Sequence, residues 1–108
     1  MIALAVAALL ANPTAPLAPA QARKEFGACL TKYMHEAEPK KLDAAAYKAG
    51  AHTSCAAQES AFRTAWVAYD VGMKTRRADA EESAAAQIED YLQNSVDTYT
   101  FATNPPKP

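Results

Sequence analysis

A chain of 108 residues with 11 Lys and Arg against 12 Asp and Glu carries a formal charge of -1, which leaves no net field to gather nucleic acid or anionic lipid. The length confines it to one domain, and a hydrophobic fraction of 50% beside a charged fraction of 21% belongs to a globular one. Much of the apolar share is alanine, which buries little area per residue, so the core must be thin and close-packed.

Residues Ile2 to Ala11 form an uncharged apolar run with the length of a secretory signal core, too short to span a bilayer. Ala18 and Ala20 stand at the minus-three and minus-one positions of an A-x-A site. They predict a signal peptide over 1–20, cut between Ala20 and Gln21, with a cut after Ala22 as the second placement. The basic segment that opens most such leaders is missing, which predicts a true start codon a few triplets upstream. Prolines at 13, 16 and 19 and the lack of a polar face count against a buried helix of a cytosolic protein. All charged side chains lie from Arg23 onward, so the polar periodicity begins where the leader ends. An alanine-heavy composition suggests a GC-rich bacterial genome, and export then means the periplasm or the medium, with no stable membrane insertion after cleavage.

Glycines are few and most prolines sit at the ends, so the middle of the chain has few breakers and favours helix over sheet. The expected fold is all-α: a hairpin or bundle of three to four helices over 21–103, with 104–108 a disordered Pro-rich tail. A first helix over about 22–37 places Phe26, Cys29, Leu30, Tyr33 and Met34 on one face, and Pro39 ends it. Asp43 caps a short helix through Tyr47, with Gly50 as its stop. The next helix opens at Thr53 or Ser54 and carries Cys55, Phe62, Trp66, Tyr69 and Met73 as one stripe, stopping at Gly72. Thr75 then caps a last helix over about 76–99, antiparallel to its predecessor, with Ala80, Ala84, Ile88, Tyr91, Leu92, Val96 and Tyr99 on its apolar face. Four pairs at helical spacing, Lys32 with Glu36, Glu59 with Arg63, Asp70 with Lys74 and Arg77 with Glu81, mark solvated faces.

Cys29 and Cys55 are the only thiols, and in an oxidising compartment they are expected to join as a structural disulfide. A redox role fits poorly, because they do not form C-x-x-C. With His35 and His52 they supply the count of a zinc site, but His35 lies six residues after Cys29 and so points to another side of the helix. The haem attachment signature C-x-x-C-H is absent. Asp43, His52 and Ser54 hold the letters of a hydrolytic triad without a strand-to-helix elbow. Adjacent acids such as Glu81 and Glu82 diverge on a helix and suit its positive end. No catalytic, cofactor or metal residues are assigned, and the chain is not expected to be an enzyme.

What remains is surface. The basic stretch Lys74 to Arg77 falls at the expected hairpin tip, and thin alanine-rich helices leave rings uncovered. The candidate interaction surface is therefore Trp66, Tyr99 and Phe101 with Arg76 and Arg77. The expected function is a non-enzymatic module of the bacterial envelope that binds another envelope protein or itself as a homodimer, and not nucleic acid. The alternative is a carrier with a small-ligand or metal site inside the bundle.

Overall fold

The computed structural model describes residues 16–105, so the apolar run of the leader and the last three residues of the tail lie outside the described residues. Four α-helices follow one another: α1 Pro19–Ala37, α2 Ala44–Ser54, α3 Ala56–Gly72 and α4 Arg77–Thr103, with a 3-10 turn at Glu38–Lys40. No strand occurs among the described residues. Helix α1 starts three residues earlier than the apolar spacing implies. Ala18 is extended and Pro19 takes the first helical position, where its fixed φ suits the helix and its missing N–H removes no bond.

After Ala37 the chain turns through Pro39, and Lys41 adopts a left-handed φ of 54°. Asp43 caps α2 as expected, its carboxylate accepting from the Ala46 N–H at 2.8 Å. Gly50 is not the stop. Helix α2 runs through it to Ser54, and Gly50 serves packing: a Cβ there would overlap the Tyr33 hydroxyl of α1. Neither Thr53 nor Ser54 opens α3. The break falls on Cys55, with φ -108° and ψ 21°, the residue that the crosslink fixes to α1. Helix α3 ends at Gly72, and Lys74, at φ 75°, carries the left-handed step of the turn. Thr75 does not cap α4. Arg76 occupies that position without a side-chain bond to the backbone, its guanidinium meeting Asp79 at 2.9 Å instead.

The disulfide joins Cys29 to Cys55, with Cα atoms 5.9 Å apart. From that crosslink α1 and α3 run antiparallel. Phe26 lies against Phe62 at 5.7 Å between ring centroids, and the Arg23 guanidinium sits 5.1 Å from the centre of the Trp66 ring. Helix α4 returns antiparallel to α3, so that Tyr91 meets both Phe26 and Phe62 edge-on at 5.9 and 5.6 Å. The bundle thus has three layers of packing along its axis. In the middle sit these rings with Leu30, Ile88 and Leu92. At the closed end Tyr47 stacks on Tyr99 at 4.1 Å and Tyr33 tilts against Tyr47 at 5.2 Å. At the open end, among the described residues, Val67, Ala80 and Ala84 form the buried cluster between α3 and α4, with Trp66 and Val71 packed against it.

The closed end corrects the surface role given to Tyr99. Its ring is fully buried. Its hydroxyl donates to the Ala37 carbonyl at 2.8 Å and accepts from the Leu42 N–H at 2.9 Å. One side chain of α4 thereby satisfies two backbone groups in the link between α1 and α2, groups the helices themselves leave over. Burial raises the Tyr47 phenol above its ordinary value, opposed by its bond to Ser95 and reinforced by the neighbouring Tyr33 and Tyr99; burial, then Tyr99, raises Tyr33.

Of the four ion pairs expected from spacing, Glu59 with Arg63 forms, at 3.8 Å. Arg76–Asp79 and Lys48–Glu89 appear in addition, and His35 and His52 hydrogen-bond to Glu38 and Glu59. No helix among the described residues is long and apolar enough to cross a membrane.

Candidate interaction surface

Arg76 and Arg77 lie at the hairpin tip and Trp66 toward the same end, touching Arg23 and not the arginine pair; Phe101 lies at the other end. Twenty-four residues of α4 separate Arg77 from Phe101, about 36 Å at 1.5 Å per residue. Phe101 is 65% exposed at that far end and Tyr99 is fully buried, so neither shares a docking face with Trp66. The expected surface divides, and the part that holds together is the open end of the α3–α4 hairpin.

That end is open because the helices differ in reach. Counted from the contact between Phe26 and Phe62, seven residues lead along α1 to Pro19 while eleven lead along α3 to Met73. The four-residue difference is about 6 Å of helix. Counted on α4 from the bond between Tyr99 and Ala37, the excess over α1 is four residues, about 6 Å. The stripe of α3 that faces α1 therefore outruns its cover. Cys55 and Phe62 are fully buried on it and Trp66 is half-buried, whereas Tyr69 is 49% exposed and Met73 64%. The sequence spacing correctly makes these five residues one stripe; what it does not show is where the facing helix stops.

Trp66 stands at the boundary. Arg23 covers one part of its ring and Tyr69 approaches edge-on at 5.8 Å, a cation over an aromatic face being favourable at partly desolvated sites. Its indole Nε1 is buried without a hydrogen-bond partner, an unusual condition for a buried donor. Charges of both signs lie at this end of the hairpin, Arg77 and Glu81 beside Thr64 and Ala68 on the side of α3 away from the strip. Arg76 is engaged with Asp79. Among the described residues, Lys74, Arg77, Asp70, Glu81 and Glu82 enter no ion pair.

A second feature was not anticipated. Glu59 is 6% exposed, yet the sequence reading assigned it to a solvated face. Its Oε1 meets His52 Nδ1 at 2.7 Å and its Oε2 lies 3.8 Å from Arg63. The signal was available in the spacing: Cys55, Glu59, Phe62 and Trp66 fall at i, i+4, i+7 and i+11, one side of a helix. The His52–Glu59 bond spans the break at Cys55, holding the end of α2 to the first turn of α3. These two residues, with Lys48, Glu89 and the methyls of Ala49 and Ala85, line an open groove of about 510 Å³. His52 does not share the direction of Cys55: its side chain is 59% exposed while Cys55 is buried. No group of three or more His, Cys, Asp or Glu among the described residues is placed to hold a metal ion.

Comparison with family models, with curated proteins and with solved structures finds no match to this chain. The functional reading rests on the geometry above.

Proposed function

We propose that this protein is a non-enzymatic, exported module of the bacterial envelope that works by protein association through the open end of its α3–α4 hairpin. The observation that carries the reading is the uncovered strip of Tyr69 and Met73 continuing the buried stripe of Cys55, Phe62 and Trp66. Contiguous apolar exposure rimmed by charge is the surface character of protein interfaces. The leader and the paired cysteines support the compartment: disulfides persist where thiols are oxidised. Cleavage between Ala20 and Gln21 would also remove Pro19 and Ala20, the first two residues of α1, and lengthen the uncovered strip.

The test places a photoreactive residue at position 73 or at position 101 of the protein in its native cell. Adducts to protein from position 73 and not from position 101 are expected. Equal yields, or none at 73, would overturn the assignment of the surface. The intact mass of the exported protein should begin at Gln21 or Arg23, with two thiols detected only after reduction.

A second reading, a small-ligand carrier, is favoured by one observation, the groove beside the buried Glu59. It lies on the outer side between α2 and α4 and not inside the bundle. Ligand retained through purification, lost on substituting Ala49→Trp in the groove, would support this reading over the first.

A further inference from the structure

The two sulfurs of the crosslink stand in different surroundings. Cys55 is fully buried, in the main core cluster with Ala51 and Phe62. Cys29 is partly exposed and lines an open groove of about 460 Å³ together with Glu25, Lys32, Glu36, Ser54 and Gln58. Its Sγ lies 3.9 Å from the carbonyl oxygen of Ser54, on the wall of that groove. We propose that this disulfide is a thiol-exchange site in the folded protein, opened at Cys29 by small external thiols and closed again by Cys55.

The chemistry follows from access. Which sulfur of a disulfide is attacked depends on which one a thiolate can reach, and the groove leads to Cys29. The incoming thiolate bonds to Cys29 Sγ, the Cys29–Cys55 bond breaks, and its electron pair goes to Cys55 Sγ, which takes a proton from water. Two exits are then open. Attack by Cys55 on Cys29 Sγ expels the external thiol and restores the crosslink. Attack by a second external thiol on the adduct leaves two protein thiols and an external disulfide, a two-electron reduction in all. The lack of C-x-x-C counts against a redox catalyst and not against a target of thiols. The groove carries two carboxylates, Glu25 and Glu36, against one ammonium, Lys32, so it favours a cationic thiol over an anionic one.

The fold also keeps the pair in reach of each other once the bond is open. Cys55 is held by its backbone, its N–H donating to the Ala51 carbonyl at 3.0 Å and its carbonyl accepting from the Glu59 N–H at 2.9 Å. Helix α1 is held on either side of Cys29 by the buried Phe26 and Leu30, and by Tyr33 tilted against Tyr47. None of these contacts passes through sulfur. Opening the crosslink therefore leaves a buried Cys55 thiol facing the Cys29 adduct, the arrangement of a modified cysteine beside a resolving one.

The experiment treats the oxidised protein with cysteamine, a small cationic thiol, quenches with acid, alkylates the released thiol and maps both cysteines by peptide mass. Adduct at Cys29 should exceed adduct at Cys55 by about tenfold or more, because access selects the attacked sulfur. The rate should be proportional to cysteamine and unchanged by urea below the unfolding transition. On removal of cysteamine without added oxidant, the adduct should disappear and the crosslink return. Adduct at Cys55, adduct shared evenly as in the unfolded chain, or a folded protein that does not react would overturn the inference. A rate that climbs with urea below the transition would overturn it too, since exchange would then need unfolding. An adduct that persists after cysteamine is removed would overturn the closing role of Cys55.

Discussion

Replacing Tyr99 by Phe isolates the role of one hydroxyl. The ring keeps its stack on Tyr47, at 4.1 Å and 12° between planes, and no cavity larger than an oxygen atom opens. What is lost is the donation to the Ala37 carbonyl at 2.8 Å and the acceptance from the Leu42 N–H at 2.9 Å. Ala37 is 1% exposed and Leu42 partly buried, so water reaches neither backbone group freely. An ordinary hydrogen bond contributes about 1 kcal/mol net, but stranding a buried group costs about 1–3 kcal/mol. Two stranded groups in a half-buried link place the cost of Tyr99→Phe at about 2–4 kcal/mol. In a domain of this size that is a fall in Tm of about 10–20 °C. Urea unfolding of the disulfide-intact protein, followed by circular dichroism at 222 nm, measures it directly. Tyr47→Phe is the control, since it removes one bond, to Ser95 at 2.6 Å, and should cost about 1 kcal/mol. If Tyr99→Phe proves no more damaging than Tyr47→Phe, the hydroxyl is not what ties the α1–α2 link to α4.

Reducing the disulfide frees a loop whose ends are 26 residues apart and should lower stability by about 3.5 kcal/mol on the chain-entropy account, read as a shift in urea midpoint with and without reductant. His52→Ala leaves the buried Glu59 with Arg63 alone, 3.8 Å away, and should cost about 1–3 kcal/mol in the same assay; Glu59→Gln, which removes the charge and keeps the shape, should cost less. Alkaline titration has a definite sign: the Tyr33 and Tyr47 phenols are raised above 10.0 by burial first. The folded state therefore holds protons that the unfolded state gives up, and their contribution is intact below pH 10 and falls as pH rises through the folded values. Stability that is level from pH 9 to pH 12 would contradict it. Gly50→Ala should destabilise, because the added methyl meets the Tyr33 hydroxyl; a gain, as expected from helix propensity alone, would show that Tyr33 moves aside.

Periodicity carried the helices and most of the core. Phe26, Leu30, Phe62, Ile88, Leu92 and Val96 are buried where their spacing puts them, and the lone pair of cysteines left one possible crosslink. The errors share a cause. Gly50 reads as a stop because glycine is poor in helices, but here a neighbouring tyrosine needs the missing side chain. Tyr99 reads as an edge residue because it lies near the end of its helix, whereas the α1–α2 link folds back over it. Glu59 reads as solvated because it is charged, although its position on the stripe with Cys55 and Phe62 was visible. In each case a contact made by a different element decided the outcome, and local pattern carries no information about that element.

The open end shows the same limit from the other side. The stripe on α3 keeps its spacing to Met73, so pattern alone would bury all of it. Burial instead falls from Phe62 to Trp66, under Arg23, and on to Tyr69 and Met73, while α1 begins at Pro19 because proline and the extended Ala18 set its first turn. A signal-peptidase cut between Ala20 and Gln21 would move that boundary further toward the middle of the bundle. The free amino terminus it creates would stand near Trp66, since Arg23, two residues on, already lies over the indole ring. If the leader is cut there, processing and surface are coupled through one helix end. A variant that moves the cut to after Ala22 would leave the core residues at the closed end untouched and lengthen the bare strip. Tryptophan emission should then shift to longer wavelength with little change in the Tyr47–Tyr99 end, and an unchanged emission maximum would separate the two.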